Sequence, residues 1–415
     1  MKMHRVFRRE LLVVSCSCLI VGLATAAGAQ SSTSLRVMSY NIWLGGANAG
    51  PLSRTVGVIQ TAQADIIGIQ ERGSNGPAIA SALGYYYQSL GGSAAILSRF
   101  PIVQTLTYGV KVQLSPLQEA FVFDVHLAAY PYQPYDIRDG LITTEAQAIA
   151  AAQATRGGAT TALVNNMSSA LASGVPVFLT GDFNEPSHLD WTEEAAAAGK
   201  HFGMQVDWPT SNAVVNAGLT DAFRELRPDE IADPAFTWTP GYPAPNVTGD
   251  EVFDRIDFVY YAGNGVTPSL AQTLGYDASD GSTDIAIQPY PSDHRAVVVE
   301  FDVPGCFVQG DINGDCAINT SDWSRFRSGQ HTDMTGLTAF QAYALGDLNG
   351  DFQNNHADFV LFKSLFESAN GAGSFAVMLA TVPEPGSMAL FVTLVASMAG
   401  MRIRRLNQTT LRDSN

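Results

Sequence analysis

The reactive side chains of this sequence stand at the ends of apolar runs. Asp182 and Asn184 lie in Gly181-Asp182-Phe183-Asn184, just after the run 175–179, and Ser292-Asp293-His294 lies just before the run 296–301. Three further polar tips repeat the placement: Ser39-Tyr40-Asn41 after 35–38, Gln70-Glu71 after 64–69, and His126-Leu127 after 121–125. Strand ends are where an α/β sheet presents its chemistry. Carboxylates and amides are hard oxygen ligands, and an imidazole moves protons near neutral pH. Five such tips on five hydrophobic strands point to one active site.

The elements that must position these tips alternate along the chain. The stretches 52–62 and 145–172 are Ala-rich and helix-like, whereas 121–127, 175–180, 255–261 and 296–303 are β-branched or aromatic. With 415 residues and 46% hydrophobic content there is material for a large core plus a smaller unit. The alternation predicts one α/β domain over 30–303, closed by Pro304-Gly305. That domain holds 12 Lys/Arg against 28 Asp/Glu, within a chain of net charge -16. A stable complex with nucleic acid needs a cationic footprint and is not expected; a nuclease that recruits metal against its own acidity is not excluded. The expected state is a monomer.

The termini read as processing signals. Lys2, Arg5, Arg8 and Arg9, then the apolar stretch 11–23, then Ala27-Gly28-Ala29, follow the order of a secretory signal over 1–29. A membrane anchor is the competing reading, and the stretch is short for one. Cys16 and Cys18 leave with the signal, so Cys306 and Cys316 remain, and whether they pair stays open. The expected destination is the periplasm, outer envelope or extracellular space.

Beyond a linker at 304–309, residues 310–368 hold one pattern twice, 36 residues apart. Asp311, Asn313, Asp315, Asn319 and Asp322 occupy positions 1, 3, 5, 9 and 12 of the first copy; Asp347, Asn349, Asp351, Asn355 and Asp358 occupy those of the second. Hard oxygen ligands at that spacing suit Ca2+, and each copy runs into a helical apolar pattern. The pair resembles a type I dockerin, a small all-α, EF-hand-like module, which implies a cohesin-like partner. Dockerin loops often carry Gly at position 6, where Cys316 and Phe352 stand here, and Asn354 takes the usual aliphatic position 8 of the second copy. After a second linker, 369–381, the segment 382–405 joins Val382-Pro383-Glu384-Pro385 to the apolar run 388–401 and to Arg402, Arg404 and Arg405, with a tail at 406–415. It resembles the Pro-Glu-Pro (PEP-CTERM) sorting signal, implying an exosortase-type processing enzyme.

Taken in order, the five strand-end tips resemble the endonuclease/exonuclease/phosphatase superfamily, and Ala95-Ile96-Leu97-Ser98-Arg99-Phe100-Pro101-Ile102 resembles a supporting stretch of that family. The resemblance covers 35–303 and implies a four-layered α/β/β/α sandwich. It also implies roles. Asn41, Glu71 and Asp293 form the site of Mg2+ or Mn2+; Asp182 activates water; Asn184 donates to the phosphate. His294 faces the same phosphate with Asp257 fixing its tautomer, and His126 protonates the leaving group or holds a phosphoryl oxygen. His126-Leu127 is of the deoxyribonuclease and sphingomyelinase type. Tyr132, Tyr135, His188, Trp191 and Trp238 are expected around the substrate, since aromatic rings stack on bases, sugars or apolar groups. The implied activity is metal-assisted hydrolysis of a phosphodiester, in extracellular nucleic acid or a phospholipid head group. A phosphomonoesterase acting on sugar or inositol phosphates and a non-catalytic, scaffold-attached binding protein are the alternatives.

Overall fold

The computed structural model describes residues 32–381 apart from 116–117, 280, 306–307 and 315–316. The segments read as a signal at 1–29, a sorting signal at 382–405 and a tail at 406–415 therefore lie outside the described residues, as do Cys306, Asp315 and Cys316. Among the described residues no helix is long and apolar enough to cross a membrane.

The strands are β1 (Ser32–Asn41), β2 (Ile66–Gln70), β3 (Tyr86–Ser89), β4 (Ala95–Ser98), β5 (Ile102–Leu106), β6 (Gly109–Ser115) and β7 (Gln118–His126). They continue as β8 (Val177–Asp182), β9 (Thr220–Asp221), β10 (Asp257–Ala262), β11 (Thr267–Gly275), β12 (Ile285–Ala286) and β13 (Ala296–Pro304). One seven-stranded sheet runs β12-β11-β13-β1-β2-β4-β3, and one six-stranded sheet runs β5-β6-β7-β8-β10-β9. The pairs β1/β2 and β7/β8 are parallel, and antiparallel neighbours flank them.

The period-two alternation of side chains explains the layering. Leu35 and Val37 of β1 join Val297, Val299 and Phe301 of β13 in a buried cluster with Val122 of β7, Phe178 of β8 and Val259 of β10. That cluster fills the space between the sheets. The alternate residues Met38, Tyr40 and Val298 face away, onto Val58 and Ile59 of the helix Ser53–Ala62 and Ile79 of the helix Gly76–Leu83. On the other sheet Phe123, Leu179 and Tyr260 face away onto Leu163 and Met167 of the helix Glu145–Leu171. Two sheets thus pack face to face with helices outside, a mixed α/β fold. Each such buried apolar side chain contributes about 1.5–3 kcal/mol.

The long helix starts where its sequence dictates. Thr144 accepts from Gln147 N–H while the Gln147 side chain accepts from Thr144 N–H, a reciprocal capping box.

The duplicated pattern is repeated in its backbone. Gly310 and Gly346 share φ +94°, and Gly314 and Gly350 have φ +76° and +83°. In each copy the twelfth residue accepts three backbone N–H bonds: Asp322 from Ile312, Asn313 and Asn319, Asp358 from Leu348, Asn349 and Asn355. The following helices, Thr320–Gly329 and His356–Asn370, bury Trp323, Phe326, Phe362 and Phe366 in a cluster of their own. Phe352 holds φ +60° at position 6, the conformation glycine adopts freely, at a cost on the order of 1 kcal/mol. Residues 369–381 depart from the linker reading: Ser374–Thr381 is a helix, and Phe375 and Met378 belong to the same cluster, because aromatic burial continues past Phe366. Gln309, at the end of the expected linker, and Tyr86 make contacts of their own. Gln309 Nε2 donates to Arg99 O at 3.3 Å and to Leu348 O at 3.5 Å, and Tyr86 O–H donates to Asp347 O at 3.0 Å.

Candidate active site

Strand register builds the site in three tiers. On four strands the residues with the inter-sheet parity read Val37, Ser39, Asn41; Ile66, Gly68, Gln70; Val122, Asp124, His126; and Phe178, Thr180, Asp182. The first of each set is apolar core. The second is a small or polar floor, and the third, with the following Glu71, is where the sandwich opens. Parallel pairing sets His126 opposite Asp182 and Asn41 opposite Gln70, and antiparallel pairing sets Asp257 opposite Asp182. His126, Asp182 and Asp257 therefore stand in one row across three strands.

The floor is tightly filled. Asp124 Oδ1 accepts from Gln70 Nε2 at 2.6 Å and from Thr180 O–H at 2.8 Å, and Ser39 Oγ accepts from Gly181 N–H at 3.0 Å. Burial pushes the Asp124 carboxyl well above the usual range against the pull of those bonds, and nearby Asp182 and Asp257 push it the same way. Gly68 has no room for a side chain, since a Cβ would lie 1.9 Å from Thr180 Oγ1.

Above the floor, Asp182 Oδ2 is the centre of the site. Asn41 Nδ2 lies 2.9 Å from it, His126 Nε2 3.5 Å and His294 Nε2 3.8 Å. The other oxygen, Oδ1, accepts from Asn184 N–H at 2.9 Å, which anchors the turn after β8. His294 Nδ1 lies 2.8 Å from Asp257 Oδ2. Burial alone would lower the His294 pKa, but Asp257, then Asp182 and Asp293, raise it to about 10. Its Nε2 then carries a proton and faces Asp182. His126 is oriented by Ser93, 2.7 Å from its Nδ1. Asn184 and Glu71 hold φ 49° and 56°, left-handed conformations of the kind concentrated at functional sites.

A hard cation fits the donors present. Asp293 Oδ1 is buried without a hydrogen-bond partner among the described residues, and burial raises this carboxyl to about 7, with His294 opposing and Glu71 adding to the rise. Two carboxylates that disfavour each other's charge, one with an orphaned oxygen, suit Mg2+ or Mn2+. Asn41 differs from its expected role as an oxygen ligand. Its Oδ1 accepts from Trp43 N–H at 3.1 Å while its NH2 points to Glu71 Oε1 at 3.3 Å and to Asp182. Surrounded by carboxylates, the amide presents its positive end. Asp182, Asp257 and His294 bring ligand-type atoms within 4.8 Å of one another, but the Asp257 bond occupies His294 Nδ1, so we read the trio as an acid–base network.

The cleft over these groups has a volume of about 230 Å3, and Tyr132, Tyr135 and Trp238 line it. His188 and Trp191 do not. His188 Nδ1 lies 2.9 Å from Ser211 Oγ, outside the cleft. Trp191 is fully buried against Trp208 and His201, and its N–H donates to Asp254 Oδ1 at 2.9 Å. Asp254 Oδ2 accepts from Tyr132 O–H at 2.6 Å, so Trp191 braces the cleft wall from behind. Trp191→Ala is expected to cost about 3–5 kcal/mol of stability, as for other buried tryptophans. Urea denaturation checks this; an unchanged midpoint with weakened substrate binding would return Trp191 to the cleft. Sequence reasoning missed Trp43, Leu44 and Ser93, and it named Tyr132 and Tyr135 but not Tyr130 from the aromatic stretch 130–136. Leu44 and Tyr130 are 68% and 72% exposed at the cleft rim, and no motif marks Leu44.

Comparison with known proteins bears on this arrangement. The model of the Endonuclease/Exonuclease/phosphatase family matches residues 38–294. The uncharacterized protein F14F9.5 of Caenorhabditis elegans is 27% identical over 315 residues, spanning 70% of this chain and 97% of its own. Among solved structures, truncated TDP2 from Caenorhabditis elegans superposes with a TM-score of 0.43 at 19% identity, covering 65% of this chain and 98% of its own. An endonuclease/exonuclease/phosphatase family protein from Bacteroides thetaiotaomicron gives 0.40 at 18%, covering 66% and 98%.

Proposed function

Because the chain belongs to the endonuclease/exonuclease/phosphatase family and is a metal-dependent phosphoesterase, we propose that it hydrolyses a phosphodiester whose substituents are small or apolar, such as a phospholipid head group or a short nucleotide. The observation that carries this reading is the convergence of Asn41, His126 and His294 on Asp182 Oδ2 beneath an aromatic cleft. Among the described residues no Lys or Arg lines that cleft, which disfavours a long polyanionic strand.

The chemistry divides among the residues as follows. Glu71 and Asp293 hold the divalent ion, which when bound neutralises phosphoryl oxygens and makes water a better nucleophile. Asp182 accepts the proton of the attacking water. His294, kept cationic by Asp257, donates from Nε2 to a phosphoryl oxygen as charge develops. Asn184 donates one amide hydrogen to Leu127 O at 3.2 Å and lines the cleft with the rest of its amide, beside the phosphate. His126, oriented by Ser93, gives its proton to the departing alkoxide as the ester P–O bond breaks. A panel of DNA, RNA, sphingomyelin, inositol phosphates and bis-aryl phosphate, assayed with Mg2+ or Mn2+, tests the reading. Hydrolysis of inositol phosphates alone would replace it with phosphomonoesterase action.

We further propose that the enzyme is exported, that the duplicated loops bind Ca2+ in the manner of a dockerin and offer a surface to a cohesin-like partner, and that the C-terminal segment is a sorting signal cut by an exosortase-type enzyme. The arrangement of the second loop supports the calcium reading. Asp347, Asp351 and Asp358 bring carboxylate oxygens within 4.8 Å of one another. Burial, then repulsion from Asp358 and Asp351, raises Asp347 to about 6. Calcium is expected to raise the thermal midpoint of the protein by several degrees, and Asp311→Ala with Asp347→Ala to remove the gain. Calorimetry without calcium uptake by the unmodified protein would reduce the repeat to a pair of acidic turns.

A further inference from the structure

Glu251 lies outside the reacting groups and outside every motif of the sequence, yet it collects the donors of the cleft wall. Its Oε1 accepts from Tyr135 O–H at 2.5 Å, from Trp238 Nε1–H at 3.2 Å and from Val252 N–H at 3.0 Å. Its Oε2 accepts from Tyr242 O–H. The three side-chain donors come from three places in the chain: the helix Gln133–Arg138, the Trp238 segment, and the largely exposed loop at 241–250. The rings are packed as a unit. Trp238 stands edge-on to Tyr242 with centroids 5.2 Å apart, Tyr135 stands edge-on to Tyr132 at 4.9 Å, and the Trp238 ring lies 4.8 Å from the His294 imidazole. Arg138 adds a second tie across the same gap, donating to Asp250 O while its guanidinium lies 4.8 Å from the Tyr135 ring centroid.

We propose that Glu251 is a positioning residue for this reaction: one carboxylate ties the loop 241–250 to the helix Gln133–Arg138 and fixes Tyr135 and Trp238 as the wall against which the substrate's organic group rests. Three side-chain donors on two oxygens leave the rings little freedom, and charge-assisted bonds to a carboxylate are roughly twice as strong as neutral ones. Both tyrosines remain donors, because burial and the adjacent Glu251 charge raise their pKa values above the ordinary one. A wall of this kind acts on how substrate is held, since Glu251 touches none of the atoms that change bonds. It therefore sets KM more than kcat. The inference rests on the phosphodiesterase reading of the cleft and adds the group that shapes its binding half.

The test uses the full chain with Mg2+ and bis(4-nitrophenyl) phosphate as the probe. Glu251→Ala is expected to raise KM by about tenfold or more while kcat stays within about threefold. Glu251→Gln keeps one accepting oxygen and is expected to recover part of that loss. Tyr135→Phe and Tyr242→Phe each remove one donor and leave the carboxylate in place; each is expected to raise KM by about two- to threefold. Trp238 supplies a readout independent of turnover. Its emission, isolated by subtracting the spectrum of Trp238→Phe, is expected to shift to longer wavelength in Glu251→Ala as water replaces the carboxylate at the indole N–H. A KM within about twofold of the parent in Glu251→Ala, or in both Phe variants should Glu251→Ala fail to fold, overturns the proposal. An unshifted Trp238 emission overturns it as well. Absence of probe hydrolysis by the parent enzyme counts against the phosphodiesterase reading, and the emission shift then decides the role of Glu251 alone.

Discussion

His294→Ala is expected to lower kcat by on the order of a hundredfold or more while leaving the fold intact. His294 is buried, and its cationic ring is the group that faces Asp182 from the β13 side of the site. Removing it deletes the donor that meets the phosphoryl oxygen and leaves Asp257 facing a void. Asp182→Asn is expected to fall in the same range, because an amide accepts no proton from water. Asp257→Asn should cost less than His294→Ala: an amide oxygen in place of Oδ2 still accepts from Nδ1–H, and the ring stays placed with less charge behind it. Steady-state kinetics on any substrate found by the panel, with circular dichroism as the folding control, decides the matter. A His294→Ala rate within about threefold of the parent would sink the site assignment.

The second large effect is expected on removing divalent ions. Glu71, Asp182, Asp257 and Asp293 converge on a site where His294 is a cationic side chain, and the substrate brings further negative charge. A metal ion contributes several kcal/mol to such a transition state, so excess EDTA should reduce turnover by about a thousandfold at ~1.4 kcal/mol per decade. Mg2+ or Mn2+ in excess should restore it. Turnover unaffected by chelator would contradict the role given to Glu71 and Asp293. Calcium returned alone separates the two kinds of site: it should restore the thermal stability attributed to the duplicated loops before it restores catalysis.

Much of this was legible in the sequence because strand ends advertise themselves. A short apolar run followed at once by Asp182 or His126 specifies both the strand and the residue it delivers, and the helix at 145–171 is bounded by its own capping box. Less legible were contacts that depend on two distant segments meeting. Trp191 follows Asn184 by seven positions and looks like a rim aromatic, but the chain turns inward at Asp190, whose carboxylate pairs with Arg224 and Arg255, and carries the indole into the core. His188 is drawn to Ser211 by the same inward turn. Asn41 was readable as a site residue, whereas the direction of its amide follows from the Trp43 N–H beside it. Glu251 carries no local signal at all, since its meaning lies in three donors from elsewhere in the chain. The helix at 374–381 escaped for a related reason: its apolar residues pair with Phe359, Phe362 and Phe366 rather than with a periodic face of their own.

The row His126, Asp182, Asp257 has a consequence for changes in chain length. All three side chains share one face because β7, β8 and β10 are in a single register, and Thr180 and Asp124 hold that register from the tier below. Substitutions within these strands act on one side chain at a time. An added or deleted residue inside β8 acts on every one beyond it, turning Asp182 toward the helix layer and Leu179 or Phe178 toward the wrong sheet face. Single-residue insertions among the exposed residues 247–249 should be absorbed by the chain, whereas the same change anywhere in 177–182 should abolish soluble, active protein.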